Sequence, residues 1–301
     1  MMVFDSHLHL FNTKIIDNVS RRREMVGLLN LQTEGAHARL DLQSLAASMK
    51  AAGVVAGLTL PTASAADVER INTIFIEKTK DADFLHTAGT LHPDFPHNRE
   101  EIARLCRHGI RGIKLCSFSQ GFVLDGPPAL ALFDLIDIHN RSGASRLFVV
   151  LDTFYHAHDY FGTDQACTTK PAQIAALARR YPHTVFIGAH MGGLSAPFDQ
   201  LWSDLPPRDN LMLDTSNAAH TLTRAQFVAL LKRFGPRHIV FGTDWPWFIH
   251  EAEIARITEL TDAAGFDPRQ KAAVFYDNMA ELLSLESSKR MGTEPAITRQ
   301  G

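Results

Sequence analysis

Three short stretches of this 301-residue chain place histidines and carboxylates at spacings suited to divalent-metal chemistry. The first is Asp5-Ser6-His7-Leu8-His9. On a strand, residues two apart share a face, so His7 and His9 project together while Leu8 and Leu10 point the other way. Paired imidazoles at a strand end suit zinc, which takes nitrogen ligands. The bland alternative is two hydrogen-bonded histidines with no ion. The second stretch is Phe241-Gly242-Thr243-Asp244-Trp245-Pro246, an apolar run ending in a carboxylate. Asp244 could ligate a metal and take a proton from water, or simply form a turn. The third, Ile187-Gly188-Ala189-His190-Met191-Gly192-Gly193, closes an apolar run on a histidine; its glycines permit tight turning or close approach to a ligand.

These groups converge only if the chain supplies a frame. Eight β-rich runs recur: 3–7, 54–60, 84–90, 110–116, 147–152, 185–190, 210–215 and 238–243. Helical periodicity fills the gaps, as in Leu42–Ala52, 66–80, 99–108, 129–141, 171–181, Arg224–Phe234 and 251–264. Such βα alternation implies parallel strands with right-handed crossovers, and eight repeats predict a single-domain α/β fold, the (β/α)₈ TIM barrel, over residues 1–285. Barrel enzymes carry their chemistry at strand C-termini, which is where His7, His9, His190 and Asp244 fall. Pro171 and Thr223 mark helix starts, Thr223 as an N-cap. The stretch 12–39 shows no period and reads as a structureless lid or binding loop. Residues 286–301 read as a polar, frayed tail.

Composition narrows the classes. The chain is 45% hydrophobic and 21% charged with a net charge of −3, a balance that excludes disorder and low complexity. Near-neutral charge gives no footing for a nucleic-acid partner, and Arg21-Arg22-Arg23 reads as a solvated run. The longest nearly apolar stretch, 51–60, is about half of a bilayer span, and the N-terminus shows no secretory pattern. Three scattered cysteines form neither a disulfide framework nor a CxxC site. A cytoplasmic protein with a small-molecule substrate is expected, its oligomeric state open and a homodimer one option.

The motifs Asp-Ser-His-Leu-His-Leu, Ala-His-Met-Gly-Gly and Gly-Thr-Asp-Trp-Pro together resemble the amidohydrolase superfamily. The closer similarity is to its amidohydrolase-2 branch, which holds aromatic-acid decarboxylases of the aminocarboxymuconate semialdehyde decarboxylase type and lactonases. Gly112-Ile113-Lys114-Leu115 and Asp277-Asn278-Met279-Ala280-Glu281-Leu282-Leu283 extend the likeness over nearly the whole chain. The resemblance implies that His7 and His9 are metal ligands, that Asp244 is ligand and proton carrier, and that His190 polarises substrate or acts as acid/base. A divalent cofactor follows, zinc first, with manganese or magnesium as alternatives.

Strand five departs from the family pattern, ending in Asp152 where relatives place a histidine, with His156 and His158 further on. Its ligand is either Asp152 or His156; His156 is favoured for zinc, and a metal-free lactonase is the other outcome. Lys114 reads as an ammonium that binds a substrate carboxylate, in preference to a carboxylated bridge between two ions. Trp245 and Trp247 read as residues that shape the pocket, Trp245 as the substrate contact, with packing as the alternative for both. His92 and His220 lie in loops after strands; the remaining histidines read as structural. The leading function is a metal-dependent hydrolase of a small, carboxylate-bearing ester, lactone or amide. A decarboxylase or hydratase of the same branch is the alternative. A non-catalytic binding barrel and a TatD-type nuclease fit less well.

Overall fold

The computed structural model describes residues 1–143 and 146–285. Eight parallel strands run in sequence order: β1 Val3–Leu8, β2 Val54–Thr59, β3 in two pieces (Leu85–Thr87 and Gly89–Thr90), β4 Gly112–Leu115, β5 Phe148–Leu151, β6 Val185–Gly188, β7 Leu211–Asp214 and β8 Ile239–Val240. The Ala88 N–H between the pieces of β3 donates to Thr59 O at 2.9 Å, so the strand stays joined to β2. After β8 the chain returns to β1. Ser6 N–H donates to Phe241 O (2.8 Å), Asp244 N–H to His7 O (3.0 Å) and His9 N–H to Trp245 O (2.8 Å). The expected TIM barrel is present. The tail expected at 286–301 lies outside the described residues.

Side-chain alternation divides the apolar residues into layers. Phe4, Leu58, Ala88, Phe148, Val150, Ile187, Met212 and Val240 fill the interior. Val149, Leu151, Phe186, Leu213 and Ile239 face the helices instead. Register breaks at β1 between Asp5 and Leu8. Strict alternation from Phe4 would turn Leu8 inward, but it packs in the helix layer, and the irregularity leaves His7 and His9 at the barrel mouth. Bulges of this kind re-aim side chains next to active sites.

The helices begin and end for local reasons. Thr223 caps Arg224–Phe234 through a capping box with Gln226, as its position predicts. Helix Leu42–Ala52 starts on Asp41, whose carboxylate accepts from Ser44 N–H, and stops at Gly53 with φ +71°. The expectation of a structureless segment at 12–39 is corrected. It contains α1 Thr13–Ser20 and α2 Arg23–Leu29, followed by a 3₁₀ turn at Ala36–Arg39. Asn12 caps α1. Ile16, Val19, Met25 and Leu29 pack with Phe154, Leu194, Trp247 and Phe248 as a separate small core over the mouth. These helices are short, so their periodicity is faint in sequence and tertiary packing supplies most of their stability. Among the described residues no helix is long and apolar enough to cross a membrane.

Candidate active site

The polar cluster grows from four strand ends. β1 delivers His7, fully buried, and His9 just beyond it. Gly242 lets the chain after β8 pass close to β1: a Cβ there would lie 2.8 Å from His7 Cβ and 3.2 Å from Ser6 Oγ. That approach carries Asp244 to the histidines, and its backbone adopts φ +65°. His190 follows β6 with φ +55°. Left-handed non-glycine residues cost energy and concentrate at functional sites.

His7 Nε2 lies 3.1 Å from His9 Nε2 and 3.9 Å from Asp244 Oδ1; His9 Nε2 is 3.4 Å from the same oxygen. His190 Nε2 is 3.8 Å from Asp152 Oδ1, and the His7 and His190 ring centroids are 4.8 Å apart. Two metal-capable groups therefore share His7, one with His9 and Asp244 and one with Asp152 and His190.

Asp214, at the end of β7, explains how the imidazoles are oriented. Its Oδ2 accepts from His7 Nδ1–H at 2.8 Å, and its Oδ1 accepts from the His190 backbone N–H at 2.8 Å. The Ser216 hydroxyl donates to Asp214, and Ser216 O accepts from His190 Nδ1–H at 2.9 Å. Both Nδ1 protons being committed, both Nε2 lone pairs face the cluster. Adjacent donors around one ion at zinc–nitrogen distances lie ~3.0–3.4 Å apart, close to the separations between His7, His9 and Asp244. A carboxylate behind a ligating histidine is the usual support for a metal site. The residues present fit a single divalent ion.

Electrostatics match this use. Burial, reinforced by the Lys114 ammonium, lowers the His7 pKa well below its ordinary value and keeps the ring neutral. Burial opposes ionisation of Asp152, but Lys114, 3.0 Å away, overrides it and holds the carboxyl well below the usual range. At Asp244 burial is likewise outweighed by the hydrogen bond from His9 and the neighbouring imidazoles. At Asp214 burial prevails and the pKa rises. Burial disfavours the Lys114 ammonium, yet Asp152 raises its pKa on balance.

Several expectations need correction. His156 does not reach the cluster. It leads the short helix Ala157–Phe161 and pairs with Asp159 at 3.1 Å, its side chain 38% exposed. The chain turns away after β5, so the last residue keeping the strand's inward parity is Asp152, and this is the strand-five group in the cluster. Lys114 faces the cavity and its ammonium forms an ion pair with Asp152 at 3.0 Å, so its charge is already balanced within the site. Trp245 is 1% exposed and stacks on His250 behind the site, whereas Trp247 lines the cavity as its pocket reading expects. His92 bonds Gln120 O, and His220 pairs with Glu253. Sequence reading missed Asp214 and Ser216. The signal was available, since Leu211-Met212-Leu213-Asp214 is another apolar run ending in a carboxylate.

Above the cluster stands a cavity of about 650 Å³. Its floor is His9, Lys114, Asp152, His190 and Asp244; Leu29, Ile74, Phe75, Phe118, Phe161 and Trp247 are among its walls. A largely apolar cleft with a few convergent polar groups is the usual form of a small-molecule site.

A parallel α/β barrel with such a cluster at its C-terminal mouth defines a class of barrel enzymes. The Amidohydro_2 family profile, described as amidohydrolase, matches residues 4–285, and the chain belongs to this family of metal-dependent enzymes. No curated protein matches. Among solved structures, an uncharacterised TIM-barrel protein of Bordetella bronchiseptica aligns with a TM-score of 0.68 at 16% identity, over 94% of this chain and 99% of that one. A manganese-bound 5-carboxyvanillate decarboxylase of Novosphingobium aromaticivorans aligns with a TM-score of 0.65 at 17% identity, over 94% and 97%. A protein of Pseudomonas putida provisionally named 2-pyrone-4,6-dicarboxylic acid hydrolase aligns with a TM-score of 0.60 at 21% identity, over 94% and 98%. At these identities the likeness shows the fold.

Proposed function

We propose that the chain is a one-metal hydrolase of a small ester, lactone or amide with a largely apolar body. The observation that carries this reading is the trio His7 Nε2, His9 Nε2 and Asp244 Oδ1, 3.1 to 3.9 Å apart, with Nδ1 of His7 held by Asp214 so that its Nε2 faces the other two. His7, His9 and Asp244 would hold the ion, with Asp152 and His190 facing the same space. When bound, a divalent ion supplies positive charge that acidifies water and polarises a carbonyl oxygen. Imidazole nitrogens suit zinc and carboxylate oxygens suit manganese, so having Asp152 where a histidine was expected moves the reading toward manganese. Asp244, ionised at neutral pH, takes the proton of the attacking water and returns it to the leaving group. His190, its Nδ1–H held by Ser216 O, presents Nε2 to the substrate.

Decarboxylation of an aromatic acid is the second reading. It is favoured by the aromatic side chains Phe118, Phe161 and Trp247 in the cavity wall and by decarboxylases among the proteins of like fold. Both readings use an ionised Asp244 that takes up a proton and gives it back, so the products formed decide between them. The test combines elemental analysis of the purified protein with turnover of 4-nitrophenyl butyrate, dihydrocoumarin and 2,6-dihydroxybenzoate. About one divalent ion per chain is expected, with acid release that disappears in Asp244→Asn. Carbon dioxide release from the benzoate without ester or lactone turnover would establish the second reading. Ion content unchanged in both His7→Ala and His9→Ala would remove the metal assignment.

A further inference from the structure

Asn217 is a buried polar residue that the chemistry above does not use. It follows β7 and lines the cavity that holds His190 and Asp244. It is 1% exposed, yet neither its Oδ1 nor its Nδ2 has a hydrogen-bond partner among the described residues. A carboxamide offers two donors and an acceptor oxygen, and burying them unpaired is costly. The backbone at Asn217 has φ +54°, a region that asparagine tolerates and glycine adopts freely. Backbone shape therefore explains the avoidance of most residue types, but not the presence of an amide where glycine would serve.

The neighbouring floor groups are ionic or belong to the metal-capable cluster: Lys114 lies 3.0 Å from Asp152, His190 Nδ1–H is held by Ser216 O at 2.9 Å, and His9 Nε2 lies 3.4 Å from Asp244. Beyond them Leu29, Ile74, Phe118 and Trp247 give the wall its apolar surface, and Asn12, Thr62, Arg70, Lys78 and Ser119 also line it. Among these lining groups Asn217 is a buried neutral amide with both of its polar atoms unpaired, beside an apolar surface. We propose that Asn217 contacts substrate, pairing its carboxamide with a neutral carbonyl, amide or hydroxyl group on an aryl or alkyl body. The inference deepens the proposed function and rests on it only in taking this cavity as the substrate site.

The test measures binding alone, so it succeeds or fails independently of turnover. The full chain is titrated calorimetrically with 4-propylbenzamide and with propylbenzene, which has the same body without the amide. The wild type should bind the benzamide at least about tenfold more tightly than propylbenzene. Asn217→Gly should lose that preference while keeping metal content and a Tm no lower than the wild type. Asn217→Asp, which tolerates the same backbone but offers no N–H at neutral pH, should lose the corresponding preference for 4-propylacetophenone, a probe that can only accept a hydrogen bond, and keeps the test valid if the glycine variant folds poorly. Preference for the polar probe retained in both variants would show that Asn217 serves the backbone only. A wild type that binds neither probe, or both equally, would overturn the proposal outright.

Discussion

His7 illustrates how a single side chain is prepared for its role. Asp214 and Ser216 take its Nδ1 side, burial keeps the ring neutral, and Nε2 is left as a lone pair aimed at His9 and Asp244. Removing the Asp214 carboxylate should therefore weaken metal binding without touching a ligand. Asp214→Asn is expected to reduce affinity by roughly 10–100-fold, read by competition with a chelating dye. The strand-five question belongs to this scale too. Asp152→Asn should lower ion content or affinity, whereas His156→Ala, at an exposed side chain paired with Asp159, should leave both unchanged. Loss of metal in His156→Ala alone would contradict the geometry. Lys114 is the counter-charge of Asp152. In metal-stripped protein Lys114→Met should destabilise the fold by about 3–5 kcal/mol by stranding a buried carboxylate, and adding Asp152→Leu should recover much of it. Urea unfolding of the single and double variants checks this.

The elements position these residues through devices that differ in how local they are. The capping box at Thr223 is wholly local: the hydroxyl accepts from Gln226 N–H, and the Gln226 side chain accepts from Thr223 N–H. Thr223→Ala should cost about 1 kcal/mol, measurable by thermal or urea unfolding, with metal content unaffected. The irregularity in β1 and the passage of Gly242 past His7 are long-range, since each needs the first and last strands to meet. Helices α1 and α2 depend on the barrel as well. Their buried Ile16, Met25 and Leu29 find partners in Phe154, Leu194 and Trp247, which come from distant loops.

For the whole molecule, the packed interior and the polar mouth are separable. The interior layer of Phe4, Leu58, Phe148, Val150 and Ile187 is complete without any ligand atom. Chelation should therefore lower Tm while leaving the far-ultraviolet circular dichroism of the folded protein intact, and the Tm should climb with added zinc or manganese as free ion exceeds its dissociation constant. Unfolding on chelation at 25 °C would mean that the ion holds the barrel together. Leu58→Ala, by contrast, opens a cavity in the interior and should cost about 2–5 kcal/mol in unfolding experiments.

Alternating βα periodicity, the apolar runs ending in His190 and Asp244, and the His7–His9 pair are local patterns. They were legible in the sequence because strand parity and strand-end placement follow from a few adjacent residues. Thr223 was legible for the same reason. Tertiary structure alone decided the rest. His156 and Asp152 are four residues apart, and only the turn after β5 determines which one faces the mouth. Lys114 had the right strand end, but its partner sits on the neighbouring strand, and that pairing changed a free cation into a matched one. Of the two tryptophans expected to shape the pocket, the backbone path after Asp244 left Trp247 in the cavity wall and buried Trp245 as packing. Segment 12–39 became helical because the barrel mouth offered its apolar residues a surface to cover, a surface that exists only once the strands have closed.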